Sequence, residues 1–301
     1  MRRKSTSPVQ HAIPPTRLRL PSTGRWETLR DHLVERLPKL PADRIDRMLA
    51  EGRVRGCDGP LGLDAPFVPG AVIWVQRELP EEVPVPFPIE LVHQDDELVV
   101  IDKPHFLATT PRGGHVVETA LVRLRTQLGQ PELVPAHRLD RMTAGLVVFV
   151  RKPEHRGAYQ RLFQQRMVRK EYLAVAPCKP ELILPRTVRS RISKQPGVLQ
   201  AREEPGEPNS ETHVELLGQR SGKGLYRLVP RTGRTHQLRV HMNRLGIPIC
   251  GDDLYPVVQQ RVPGDFSRPL QLLAAVLEFT DPITGARRRF ESRLRLQLWE
   301  R

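Results

Sequence analysis

The sequence predicts an α+β protein, with a mainly antiparallel mixed sheet flanked by helices and a small α/β module in front of it. Three observations predict this. Short apolar strand-like runs recur after residue 90, but helices do not alternate with them strictly, as a parallel α/β sheet would require. Residues 26–54 carry helical spacing instead. Between the two regions, residues 78–90 hold Pro80, Pro84, Pro86 and Pro88 without a glycine, which reads as a semi-rigid spacer. A chain of 301 residues has room for about two such units.

Residues 1–22 are polar, basic and unpatterned, and are expected to form a flexible tail. Residues 23–77 form the first module. Leu29, Leu33 and Leu37, then Ile45, Met48 and Leu49, recur at helical spacing, and Pro38 and Pro41 separate two short helices. Gly52 falls where a helix C-terminus needs a left-handed residue. Gly59-Pro60 and Pro69-Gly70 mark turns, and Ala71–Val75 reads as a closing strand.

Residues 91–301 form the second unit. Leu98–Ile101, Leu146–Val150, Lys170–Ala176 and Gly224–Pro230 read as strands. Thr119–Leu128, 155–166 and 234–245 read as helices. Leu272–Thr280 and Arg288–Leu296 flank the turn Pro282-Ile283-Thr284-Gly285 as a hairpin. Residues 194–210, with two glycines and three prolines, read as a long polar loop.

Charge narrows the partner. Lys and Arg number 48 against 34 Asp and Glu, a net charge of +14. So basic a chain fits nucleic acid better than an anionic membrane, because no amphipathic anchor gathers the charge. Cys57, Cys178 and Cys250 are unclustered, which fits a reducing compartment and gives no zinc spacing. The basic N-terminus lacks an apolar signal core, and no apolar run reaches membrane-spanning length. A cytoplasmic monomer with no membrane association and no obligate protein partner is expected.

The chemistry centres on Pro135-Ala136-His137-Arg138-Leu139-Asp140-Arg141, which runs into the apolar strand. A carboxylate between two arginines should stay ionised at neutral pH and can act as nucleophile or base. It can equally be an ordinary ion pair. A second cluster is Arg231-Thr232-Gly233-Arg234-Thr235-His236-Gln237-Leu238-Arg239-Val240-His241. Gly233 ahead of a helix carrying Arg234, Thr235 and Gln237 is a phosphate-binding arrangement. Its histidines are five apart, so they do not share a helical face as zinc ligands would. Residues 222–224 lack the spacing of a nucleotide-binding P-loop, and no serine sits in a Gly-x-Ser-x-Gly elbow.

Three ordered segments now coincide: His137-Arg138-Leu139-Asp140, Lys170-Glu171-Tyr172-Leu173 and Gly233–His241. With Gly246-Ile247-Pro248-Ile249-Cys250-Gly251-Asp252-Asp253-Leu254-Tyr255, the region 90–300 resembles the RluA-type pseudouridine synthases, which isomerise uridine to pseudouridine in ribosomal or transfer RNA. Residues 23–77 resemble the S4-like RNA-binding module of a small-subunit ribosomal protein, with Arg44, Arg47, Arg53 and Arg55 as its phosphate-facing side.

The resemblance implies a role for each matched residue. Asp140 would be the nucleophile, attacking the uracil ring or the ribose C1′. Arg234 would be its counter-charge, and Tyr172 would pack against the base and assist removal of the C5 proton. Arg138 would enter the space left by the flipped nucleotide, and Ile249 would line the base pocket. Thr235, His236, Gln237 and Arg239 would contact substrate. Taken alone, Tyr172 is also an ordinary strand residue, His137 a structural hydrogen-bonder, Arg239 a phosphate ligand, and His236 and Gln237 helix-surface residues. A uridine in folded RNA must leave its stack to react. Isomerisation needs neither redox step nor group donor, so no cofactor or metal is expected. The family's Thr-Ser-Gly is here Thr143-Ala144-Gly145. Large-subunit rRNA is the first expected substrate and tRNA the second. A non-catalytic RNA-binding or RNA-folding protein is the alternative of another class.

Overall fold

The computed structural model describes residues 12–300 except 39, 77, 78 and 80. The chain divides into two compact units, Met1–Pro80 and Glu81–Arg301.

In the first unit, α1 (Leu29–Arg36) and α2 (Ala42–Ala50) pack over a sheet of β1 (Thr16–Arg19), β2 (Val54–Gly56), β3 (Gly59–Pro60) and β4 (Val72–Val75), in the order β1-β4-β2-β3. Thr28 caps α1: its hydroxyl accepts from the Asp31 N–H, and the Asp31 carboxylate accepts from the Thr28 N–H in return. Leu29, Leu33, Ile45, Met48, Leu49, Val54 and Ile73 form the core. After α2 the Arg53 N–H reaches back to the Met48 carbonyl, and Gly52 takes the required left-handed φ of 68°. The tail expected over 1–22 is shorter than its polarity suggested. Thr16–Arg19 pairs antiparallel with β4, and Leu20 is buried. The rest of that expectation, 1–11, lies outside the described residues.

The spacer expected over 78–90 also differs. Residues 78 and 80 lie outside the described residues, and from Glu81 the chain belongs to the second unit. The Glu82 carboxylate accepts the backbone N–H groups of Val116, Val117 and Glu118. Val85 is buried, and its N–H donates to Glu118. Glu82, inside the expected spacer, is thus a hydrogen-bond acceptor for the loop at 116–118.

The second unit is built on one sheet. Its strands are β5 (Glu90–Gln94), β6 (Leu98–Lys103), β7 (Val134–Pro135), β8 (Ala144–Val150), β9 (Arg169–Pro177), β10 (Arg186–Ser193), β11 (Arg202–Glu204), β12 (Ser210–Arg220), β13 (Lys223–Pro230), β14 (Leu272–Thr280) and β15 (Arg287–Glu291). The main path is β11-β10-β12-β13-β9-β14-β8-β6-β5, with β15 on β14 and β7 on β8. Among these strands of the described residues, only β14 and β8 pair parallel. The helices are α3 (Ala120–Leu128), α4 (Arg156–Gln164), α5 (Gln237–Arg244) and α6 (Gln297–Glu300).

The mixed, mainly antiparallel α+β class is therefore observed. β6 and β8 are buried along their whole length, which explains their continuous apolar runs. The loop expected at 194–210 contains β11, paired to β10. Among the described residues no helix is long and apolar enough to cross a membrane.

Candidate active site

The centre of the sheet places the ends of β8, β9 and β13 and the turn before α5 around one pocket of about 360 Å³. That is within the range of small-ligand sites, roughly 300–1,000 Å³. Its lining includes Arg138, Asp140, Lys170, Tyr172, Arg234, Thr235, His236, Gln237 and Arg239. The structure thus brings together every expected site residue except Ile249. Ile249, expected to line the base pocket, is instead buried in the main apolar core and is not among the lining residues.

Asp140 sits in the turn that enters β8, and the Thr143 N–H donates to its carbonyl at 3.1 Å. Three side chains fix that turn from below. The Thr109 hydroxyl donates to the Leu139 carbonyl at 2.8 Å and accepts from the Leu139 N–H at 3.1 Å. The fully buried Lys103 ammonium donates to the carbonyls of Pro104, Leu107 and Arg141. Burial pushes Lys103 down to about 7, while the charge of Asp140 works to keep its proton on. The His105 Nδ1–H donates to the Met142 carbonyl at 2.8 Å, and burial pushes that imidazole down to about 4. Asp140 itself keeps 37% of its side chain exposed, toward the pocket.

Gly145 explains why the turn must enter the strand as it does. Its φ is 108°, and a Cβ there would lie 2.3 Å from the Ala274 carbonyl oxygen. Ala144, where the family carries Ser, is fully buried among Val175, Leu273 and Leu296. A methyl suits that apolar site better than a hydroxyl.

Tyr172 and Lys170 project from β9 into the pocket, two residues apart and so on one face. Burial, reinforced by the charge of Asp140, raises the Tyr172 phenol well above its usual value. It is therefore a neutral phenol at neutral pH. His137 stacks on Phe163 at 4.1 Å, and its Nε2 accepts from the Val148 N–H. Burial pushes it down to about 3, so it is a neutral structural hydrogen-bonder.

The Gly233–His241 segment differs from the expected phosphate-binding helix start. The helix begins only at Gln237, behind His236 at a φ of 56°. Arg234 and Thr235 are exposed in the preceding turn. The expected Arg234–Asp140 pair is absent among the described contacts; the Arg234 Nε donates to the Asn209 carbonyl. The groups that feel the Asp140 charge are Lys103, Tyr172, His236, Arg239 and Tyr255. Arg239 is not open to phosphate, because its guanidinium is bidentate on Asp252 and also bonds Asp253 at 2.8 Å. Its side chain is 3% exposed.

Gln237 is likewise committed. Its Oε1 accepts from the Thr232 hydroxyl and the Arg234 N–H, and its Nε2 donates to the Glu211 carbonyl and the Thr212 hydroxyl. It braces the turn rather than contacting substrate. No helical period signals either role: α5 buries six consecutive residues from Gln237 to Met242, so polar and apolar side chains alike are enclosed.

His236 was underrated by sequence. Its Nε2 lies 4.0 Å from Asp140 Oδ2, and its Nδ1 lies 3.1 Å from the Tyr255 hydroxyl. Tyr255 gives its one hydrogen to the Ala201 carbonyl, so His236 Nδ1 must carry the proton between them. Burial lowers the His236 pKa against the opposing pull of Asp140. Its unprotonated Nε2 then faces the carboxylate. Among the described residues no group of three or more His, Cys, Asp or Glu is placed to hold a metal ion.

A single carboxylate under a basic rim defines the class: an enzyme pocket for a polyanionic substrate. The comparisons with known proteins narrow it. A family model described as RNA pseudouridylate synthase matches residues 97–244. An uncharacterised RNA pseudouridine synthase of Synechocystis is 35% identical over 185 residues, covering 60% of this chain and 61% of that protein. The dual-specificity RNA pseudouridine synthase RluA of Vibrio vulnificus is 33% identical, covering 64% of this chain and 78% of the relative. The ribosomal large subunit pseudouridine synthase D of the same species is 29% identical over 91% of each chain. In structure, human RNA pseudouridylate synthase domain containing 1 matches with a TM-score of 0.54 at 24% identity, over 70% of this chain and 91% of that one, which shows a shared fold. The chain belongs to the RluA-type family of RNA pseudouridine synthases, which are isomerases.

Proposed function

We propose that this protein isomerises uridine to pseudouridine in large-subunit ribosomal RNA, with Asp140 as nucleophile. The observation that carries the mechanism is the isolation of Asp140: among the described residues it is the only carboxylate lining the pocket, and its turn is fixed by Thr109, Lys103 and His105. An ionised carboxylate held in place needs no further activation to attack. Its oxygen bonds to the ribose C1′ or the uracil ring, and the C1′–N1 bond breaks. The uracil turns, C5 bonds to C1′, and the carboxylate is released. The C5 proton leaves and N1 gains one, so the reaction balances without a co-reactant.

Tyr172 forms the wall against which the base lies. Its raised pKa disfavours a phenolate that could take the C5 proton. Arg138 and Arg234, exposed at the rim, suit the RNA backbone.

The ribosomal reading rests on the large-subunit enzyme that matches over 91% of both chains. A tRNA substrate is the second reading, because the RluA relative is named as dual-specificity. The first unit we read as an S4-like RNA-binding module. Its supports are the two-helix-plus-sheet order and the exposure of Arg44, Arg47 and Arg55; Arg53, expected beside them, is half-buried and paired with Glu51. Pseudouridine mapping of ribosomal and transfer RNA from a deletion strain tests the substrate. Loss of one or more large-subunit sites, restored by the wild-type gene but not by Asp140→Ala, is expected. An unchanged rRNA map with a lost tRNA site would overturn the ribosomal reading.

A further inference from the structure

Half-buried Lys170 stands out from the pocket's buried polar groups because no side chain or carbonyl among the described residues satisfies it. His137, Gln237 and Arg239 each have hydrogen-bond partners. The Lys170 side chain lines the pocket and is half-buried, yet no hydrogen bond or ion pair to it is found among the described residues. Its ammonium lies close to Gly233, where a Cβ would be 3.9 Å from Nζ. The neighbouring Glu171, on the opposite face of β9, is taken by Arg169. The charge nearest to it in effect is that of Arg166, an exposed arginine of the same sign. A partly desolvated cation beside a second cation, with no anion, is an unfavourable arrangement in the free protein. It becomes favourable when an anion arrives.

We propose that Lys170 is the phosphate-holding residue of the pocket, gripping a backbone phosphodiester of the everted nucleotide so that the base lies against Tyr172 with its ribose C1′ toward Asp140. Two anions are available in the reaction, the phosphodiester and the uracil anion released when the glycosidic bond breaks. Position favours the phosphodiester. Lys170 lies beside the exposed Gly233 and makes no ion pair with Asp140 among the described contacts, whereas His236 lies 4.0 Å from that carboxylate. The reacting ring must lie within reach of Asp140, and the phosphate must lie further out. Exposed Gly233, without a side chain, leaves the backbone room to approach the ammonium. The inference deepens the pseudouridine synthase reading and rests on it.

The test uses the full-length protein and an unmodified, C5-tritiated large-subunit rRNA transcript, with tritium release measured from 50 to 300 mM KCl. For Lys170→Met, KM should rise about tenfold or more, with kcat within about threefold of wild type. The slope of log(kcat/KM) against log[KCl] should become shallower by about 0.7–0.9, the value of one lost phosphate contact. Lys170→Arg should restore the slope. Lys170→Gln, neutral but polar, replaces Lys170→Met if thermal melting shows that variant unfolded. A fall in kcat with KM and salt slope unchanged would overturn the proposal in favour of the uracil anion, and wild-type behaviour of all three variants would overturn it outright. If the wild type releases no tritium, the functional reading fails instead, and the salt slope of filter binding to the same transcript still tests Lys170.

Discussion

His236 Nε2 faces Asp140 Oδ2 across 4.0 Å, with its other ring nitrogen tied to the Tyr255 hydroxyl. The carboxylate's closest titratable neighbour is thus a buried imidazole held in one tautomer, not an arginine. Tyr255→Phe removes the oxygen that holds this tautomer and the bond to Ala201. We expect a stability loss of about 1 kcal/mol and a fall in kcat of about tenfold or more from misplacement of His236. RNA affinity should stay near wild type. Tritium release and urea denaturation read the two effects, and an unaltered kcat would refute the link from Tyr255 through His236 to Asp140.

The two arginines of the Gly233–His241 segment should separate cleanly. Arg239→Met leaves Asp252 buried without its bidentate partner and should cost roughly 3–5 kcal/mol. Arg234→Met removes an exposed side chain and should cost no more than about 0.5 kcal/mol. Chemical denaturation of both variants checks this. Equal losses would contradict the assignment of Arg239 to the framework and Arg234 to the rim.

Gly145→Ala should be among the most damaging single-methyl changes in the second unit. The added carbon would meet the Ala274 carbonyl at 2.3 Å, within the one parallel strand pair, at a φ of 108°. A loss of about 3 kcal/mol or more is expected from strain and overpacking together. A melting temperature within 2–3 °C of wild type, a change of roughly 1 kcal/mol or less, would contradict it.

Acid should destabilise the second unit before its carboxylates titrate. Burial holds His241 down to about 4, and its nitrogens bond Ser190, Ser210 and Thr212. His105 is held at about 4 and His137 at about 3. In the unfolded chain each titrates near 6.5. Between those values the unfolded state binds the extra proton, so this stability is complete above pH 6.5 and is lost as pH falls toward 4. His241 alone contributes about 3 kcal/mol across that window. Urea midpoints measured from pH 7.5 to 4.5 should fall steadily, and the fall should shrink in His241→Asn. A flat profile over that range would contradict buried neutral histidines.

Those histidines also show what the sequence could not convey. The fully buried strands β6 and β8 announce themselves as Leu98–Ile101 and Leu146–Val150, because both faces are apolar. β12 does not. Its inward positions begin with Ser210 and Thr212, which face His241 instead of an apolar wall, so no hydrophobic alternation marks the strand. The spacer expected at 78–90 failed for a related reason. A glutamate among prolines has the composition of a linker, and only the fold shows three N–H groups converging on it. In the site, the shared pocket of Asp140 and Tyr172 was legible, because motif order led to both. The pairing of Arg239 with Asp252 was not, since two arginines five apart on a helix-start motif look equivalent until the helix begins at Gln237 and turns one inward. Lys170 stood in a recognised motif, but its want of a partner is visible only in three dimensions.

Asp140 is the residue on which the whole reading depends. Its conservative replacement, Asp140→Asn, keeps the shape of the turn and removes the nucleophile. The deciding measurement is single-turnover tritium release from C5-tritiated large-subunit rRNA, with enzyme in excess and RNA binding measured in parallel. Wild type should release label, whereas Asp140→Asn should bind the same RNA within about threefold of wild type and release none above the enzyme-free background. Release by Asp140→Asn at a rate near wild type would contradict the assignment of Asp140 as the nucleophile.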